Sequence, residues 1–266
     1  MKADEQLTGL RVGAIDFMFH TTSYLSEALP ILGILGLPGV CTELHRHSER
    51  LAMPSPLLAR INEVLAASNL VLLTVGGGVL EPEYIWSAEN HMRSLADLAG
   101  RRCRVVSHEA TTLMRHFGAI PLRIPSAQIH LALQRGAVDA LLANVDTIVS
   151  RNLQGYLKVC YKLPITAFSV GLFLRRDQWE ALPSGHNAAF QAAGAWYDTT
   201  AETINGKVYP EEYWPLIRQA GITIVEPSAA DSARFTAAAE SLWPWWTELV
   251  GKDIGEKVLA LALGRS

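Results

Sequence analysis

The sequence predicts an α/β fold with mainly parallel sheets. Helical stretches alternate with short apolar strands along nearly the whole chain, the pattern of strand–helix–strand units. Residues 70–75 form a continuous apolar run, as expected of a strand covered on both faces, and 137–142 read as another buried strand. The 266 residues, 49% of them hydrophobic, suffice for one large core or two smaller ones.

The elements follow in order. A short helix over 4–10 leads into a strand over 13–19. Residues 54–67 carry Leu57, Leu58, Ile61, Val64 and Leu65 at helical spacing. The strand over 70–75 ends at Gly76, Gly77 and Gly78, a turn. A helical run over 94–98 stops at Gly100, and a strand over 103–106 follows. A helix over 109–117 ends at Gly118. A strand over 120–124 precedes an amphipathic helix over 127–135, closed by Gly136. The strand over 137–142 comes next, and another spans 169–175. Asp177, Gln178 and Trp179 open a short helix that stops before Pro183. A long helical region over 186–220 is expected to kink at Pro210 and to end at Gly221. A last strand spans 222–225, and helices rich in Ala and Trp finish the chain. The apolar strands fall into two groups, before 80 and after 100, with no flexible linker between them. That arrangement suggests lobes joined by several crossings of the chain.

Composition excludes several classes. Lys and Arg number 23 against 26 Asp and Glu, and no basic block or stripe occurs, so nucleic acid is not an expected partner. Cys41, Cys103 and Cys160 are scattered and odd in number, which makes no disulfide framework. The most apolar stretch, 28–41, is about half the length of a bilayer span. Pro30, Pro38 and three glycines interrupt it, so it reads as buried loop and short helix. The run from Cys41 to Glu49 mixes Cys, Glu and His but lacks a second metal-binding cluster; it reads as a polar helix start. The triple glycine lacks a phosphate-loop pattern, and no nucleophile elbow occurs. No metal and no cofactor are therefore expected. Trp243, Trp245 and Trp246 are expected to pack a C-terminal helix onto the body.

Arg104 poses the sharpest question. It stands inside the strand over 103–106, among Cys103, Val105 and Val106. A lone charge is rarely buried without a partner. Either Arg104 pairs with a carboxylate of the protein, such as Asp139 or Glu109, or it meets one from outside.

Four stretches together give a family resemblance. They are 13–19 (GAIDFMF) with the following 22–25 (TSYL), 94–105 (SLADLAGRRCRV), 131–140 (LALQRGAVDA) and 170–183 (VGLFLRRDQWEALP). In order and spacing the chain resembles the solute-binding proteins of tripartite ATP-independent periplasmic (TRAP) transporters, dicarboxylate type. The second stretch is similar to that family's LxDLKGxKxRVP signature and the third to its ALQxGxVDG. The resemblance implies two α/β domains around a cleft, a Venus-flytrap, periplasmic-binding-protein-like fold with a long kinked helix spanning both. The implied boundaries are 1–81 plus 168–207 for the first domain and 82–167 plus 208–245 for the second, with 246–266 as a C-terminal helix.

The same resemblance implies a binding protein, not an enzyme. It would capture a small carboxylate in the periplasm and deliver it to a TRAP membrane permease, touching the membrane only through that partner. An enzyme or a cytoplasmic ligand sensor on the same scaffold is the alternative. Arg104 occupies the position that pairs with the ligand carboxylate, a role that suits the fork of a guanidinium. The expected lining is Phe19, His20, Thr21, Tyr84, Arg104, Ser107, His108, Ser126, Asn144 and Phe168. Where family pockets for sugar acids carry an acid and a second arginine, this chain has Thr21 and Tyr84. A less charged pocket for a monocarboxylate with an apolar or aromatic body is therefore expected. Family members also carry a signal peptide and a strand–helix–strand unit before the 13–19 strand. This chain starts in the helix before that strand, so a fragment or a mis-called start is expected, with lower stability than a full-length relative.

Overall fold

The structure, a computed structural model, describes residues 1–265. Helix α1 (Gln6–Arg11) leads into β1 (Phe17–Thr21), followed by α2 (Val40–Arg46), α3 (Pro56–Leu65) and β2 (Leu70–Thr74). Then come β3 (Glu83–Ser87), β4 (Arg102–Val105), α4 (His108–His116), β5 (Ile120–Arg123), α5 (Ile129–Gln134), β6 (Ala140–Ala143) and α6 (Val145–Ser150). Strands β7 (Val159–Thr166) and β8 (Val170–Arg175) precede α7 (Arg176–Ala181) and the long α8 (Ser184–Val208). Helix α9 (Trp214–Gln219), β9 (Thr223–Val225), α10 (Ala229–Val250) and α11 (Lys252–Ala262) complete the chain.

Two sheets organise these elements into two lobes. The smaller has the order β1-β8-β2, the larger β5-β4-β6-β3-β7-β9. The sheets are mixed, which corrects the expectation of mainly parallel pairing. Strand β8 runs antiparallel to both β1 and β2, and β3 runs antiparallel to both β6 and β7. Among the described residues, parallel pairing is confined to β4 with β5, β4 with β6, and β7 with β9. The reason is topological. A strand entering from the other lobe starts at the cleft edge, where β4 and β6 end, so β3 must run against them. Strands β3 and β7 were not foreseen. Pro164 argues against a strand in β7, but it falls where the pairing with β3 shifts register, a bulge that tolerates it.

The lobes share several crossings. Residues 75–82 lead from β2 to β3 and 167–169 from β7 to β8, and the two are tied by Leu80 N–H donating to Phe168 O at 3.0 Å. Helices α8 and α9 form the third crossing. Between them Tyr209–Tyr213 is a π-turn around Pro210, which absorbs the missing amide of the proline without breaking the rod. Asp198, buried in α8, accepts from the backbone amide of Gly77 at 3.0 Å. A Cβ on Gly77 would lie 2.7 Å from Asp198 O; hence glycine where the helix crosses this turn. Helix α10 is the fourth crossing. Phe235, Ala238, Ala239 and Leu242 belong to the larger lobe's core, Trp246 to the smaller lobe's. The apolar 28–41 stretch is buried, with a 3₁₀ turn at Pro30–Leu35. The three cysteines are free and buried.

Candidate functional site

The cleft edges of both sheets enclose a cavity of about 310 Å³. The smaller lobe contributes Phe19, His20 and Thr21 at the end of β1, with Ser23 and Tyr24 beyond it. The larger contributes Glu83, Arg104, Val106 and Ser126, with Asp146, Thr147, Ser150 and Arg151 on or beside α6. Leu80 and Phe168 come from the two crossings, and Val170 opens β8.

Arg104 is 1% exposed. Its Nε donates to Ile124 O at 2.9 Å, Nη1 to Leu142 O at 2.9 Å and Nη2 to Ser126 Oγ at 3.0 Å. One N–H on each terminal nitrogen is left without a protein acceptor among the described residues. Neither acid proposed as a protein partner takes it: Asp139 holds Arg102, and Glu109 accepts from Ser26 Oγ at 2.9 Å. Burial pulls the Arg104 pKa down, and the Glu83 charge opposes that pull. Tyr24 OH donates to Ser126 Oγ at 3.1 Å and accepts from Ser126 N at 2.8 Å. The arginine's anchor therefore also bridges the lobes, as does the ion pair of Glu27 with Arg123.

The structure gathers six of the expected residues at this cavity: Phe19, His20, Thr21, Arg104, Ser126 and Phe168. Four lie elsewhere. Tyr84 lines a different, larger cavity of about 590 Å³, packs edge-on against Trp214 and donates to Glu81 Oε1 at 3.3 Å. Ser107 caps α4, its Oγ accepting from Ala110 N at 3.0 Å. Asn144 caps α6 through Oδ1, while its Nδ2 is buried without a partner. His108 packs edge-on against Trp245. The cavity is also more charged than expected, because Glu83, Asp146 and Arg151 were not foreseen. An acid bounded by Pro82 and the apolar run Tyr84, Ile85, Trp86 was the available signal for Glu83.

The larger cavity shares only Leu80 with the first and contains neither Arg104 nor Glu83. His45 within the Cys41–Glu49 run is occupied by Val79 O at 2.9 Å, and His47 by Glu49. Among the described residues no group of three or more His, Cys, Asp or Glu side chains could hold a metal ion. No described helix is long and apolar enough to cross a membrane.

The chain matches the family "Bacterial extracellular solute-binding protein, family 7" (DctP) over residues 1–248. It belongs to that family. A curated relative, a solute-binding protein of Albidiferax ferrireducens, is 26% identical over 168 residues. That match covers 59% of this chain and 45% of the relative, so the chain spans less than half of that protein. Among solved structures, DctP7, an extracytoplasmic solute receptor of Bordetella pertussis binding pyroglutamic acid, superposes with a TM-score of 0.85 at 20% identity, covering 98% of this chain and 84% of that one. A TRAP periplasmic solute-binding protein of Rhodoferax ferrireducens with bound malonate gives 0.84 at 22% identity, covering 99% and 82%. At these identities the likeness is one of fold, and the fold is the two-domain one.

The DctP chain buries several carboxyls, with a consequence for pH. Glu109 is fully buried and its Oε1 has no partner. Burial raises its pKa above the ordinary 4.5, and burial pushes Glu81, Glu83 and Asp146 the same way. Above pH 4.5 the folded chain keeps a Glu109 proton that the unfolded chain has released. Stability therefore falls as pH rises from 4.5 through the raised value. Glu109→Gln is expected to flatten this decline and to melt higher than the wild type at pH 7. Thermal melts of both from pH 5 to 7 check it; a variant that melts lower at pH 7 and keeps the slope refutes the assignment.

Proposed function

We propose that this chain is an extracytoplasmic solute-binding protein that captures a small organic acid and delivers it to a TRAP-type membrane permease. It would act in the periplasm and perform no chemistry. The observation that carries the reading is Arg104: a buried guanidinium that, among the described residues, has no ion pair and leaves two N–H groups free, with a cavity before it. Such a fork suits one carboxylate bidentately. Membership in the family supports the transport role, and fold relatives hold pyroglutamic acid and malonate. The proposed domains are 1–81 plus 168–207 and 82–167 plus 208–245, with 246–266 as a C-terminal helix. Closing the lobes would remove water from the bound acid and strengthen its pair with Arg104.

A thermal-shift panel of small organic acids tests the reading. One chemical class of carboxylates is expected to raise the melting temperature of the wild-type chain. A flat response across the panel with a sharp unliganded melt overturns it, and turnover of a bound acid would favour the enzyme alternative instead.

A further inference from the structure

We propose that the larger cavity, of about 590 Å³, is a rear gap that sets the balance between open and closed lobes. Opening the cleft collapses it, so bulk placed in it holds the cleft shut. Only the consequence for acid affinity rests on the solute-binding reading. The two cavities lie on opposite sides of the first crossing, and Leu80 alone lines both. Strand β3 continues the division: Glu83 faces the Arg104 cavity and Tyr84 the rear one, as successive residues of a strand do. Each lobe supplies one rear wall. Thr42, His45 and Arg46 of α2 stand opposite Lys162 and Pro164 of β7. Helix α2 is rooted in the smaller lobe's core through Val40, Cys41 and Leu44. Strand β7 is rooted in the larger lobe's through Val159, Tyr161 and Leu163. When two rigid lobes turn about a hinge that lies between two gaps, narrowing one gap widens the other.

The structure shows one end of that movement. At the front the lobes are tied, Tyr24 to Ser126 and Glu27 to Arg123. The rear gap is at the same time the wider of the two, about 590 against about 310 Å³. The helical crossing can follow the turn. Tyr209 and Pro210, in the π-turn between α8 and α9, line the rear gap, and a helix bends where its hydrogen-bond ladder is interrupted. The gap also has room for a side chain. A Cβ on Gly206, near the end of α8, would meet nothing within 4 Å.

Two filling variants of the full chain test this, Thr42→Trp on the α2 wall and Gly206→Trp on the α8 wall. Neither residue lines the Arg104 cavity. Spin labels on Glu49→Cys and Arg218→Cys, one exposed position on each lobe, read the rear width. The native cysteines are buried, so labelling falls on the introduced pair. In the unfilled chain the label distance is expected to lengthen when acid is added. The acid is the one that raises the melt most, from a panel that includes pyroglutamate and malonate. Without acid, each filling variant should already shift the distance to the longer value. Its affinity for the acid should rise by up to about tenfold. That is the gain when a closed form of roughly a tenth of the unliganded chain becomes the dominant one. A distance that acid leaves unchanged or shortens overturns the inference. So does a filling variant that melts cooperatively yet keeps the distance and affinity of the unfilled chain. The acid response of the unfilled chain is read whether or not either variant folds. If no acid binds, the solute-binding reading falls, and the acid-free distances of filled and unfilled chains decide the rear gap by themselves.

Discussion

Arg104→Ala is expected to lose the organic acid while the chain still folds. Truncating one member of a buried, hydrogen-bonded charge pair costs about 2–5 kcal/mol, tens to thousands of times in Kd. The loss should fall on dissociation, since the guanidinium is buried and contributes little to steering. Arg104→Lys keeps the charge but not the fork, and a compact ammonium cannot reach Ile124 O, Leu142 O, Ser126 and a ligand together. It should recover part of the affinity and less than the whole. Titrations of the three proteins with an acid that stabilises the wild type decide it. Unchanged affinity in the alanine variant would assign Arg104 to the fold alone, as a tie between β4, β6 and the 124–126 segment.

Trp246→Ala is expected to be the most destabilising single change outside the cavity. The ring is 0% exposed, and its Nε1 donates to Pro30 O at 3.0 Å. It lies where α10 passes from the larger lobe's core into the smaller lobe's, beside the buried 28–41 stretch. Truncation removes a large buried surface and strands a carbonyl, for about 3–5 kcal/mol. In a chain of this size that lowers the melting temperature by roughly 6–20 °C. Trp243 and Trp245, only partly buried, should cost less on truncation. A Trp246→Ala melt within two or three degrees of the wild type, on the same scale of roughly 2–4 °C per kcal/mol, would mean that the cavity collapses or the helix end is loosely held.

Much of this site could be read before any coordinates, and the residues show why. Arg104 stood out because a cation between apolar neighbours in a strand is anomalous by itself. Phe19, His20 and Thr21 came from the family resemblance, which sets that strand and the loop after it beside the ligand. Glu83 is the same anomaly with the opposite sign, but it opens a five-residue strand just after Pro82, and without the strand it looked like an ordinary loop acid. Its burial comes from β6 and β7, 60 and 80 residues downstream by number, and no local pattern records that pairing. Tyr84 points to another cavity because side chains alternate along a strand, and its face is fixed only by register. Ser107 and Asn144 are occupied by their own helices, as caps usually are, so proximity to the cleft did not put them in it.

The sequence by itself determined the alternation of helices and strands, the turns at Gly76 to Gly78 and at Gly221, and the anomaly of Arg104 beside Cys103, Val105 and Val106. These rest on local preference, which a short window of residues expresses. The direction of β3 and β8, the mixed pairing of both sheets and the meeting of Arg104, Glu83 and Tyr24 in one compartment were decided only by tertiary structure. They depend on where the chain re-enters each lobe, and on which buried charges must then face each other across a space that water leaves on closure.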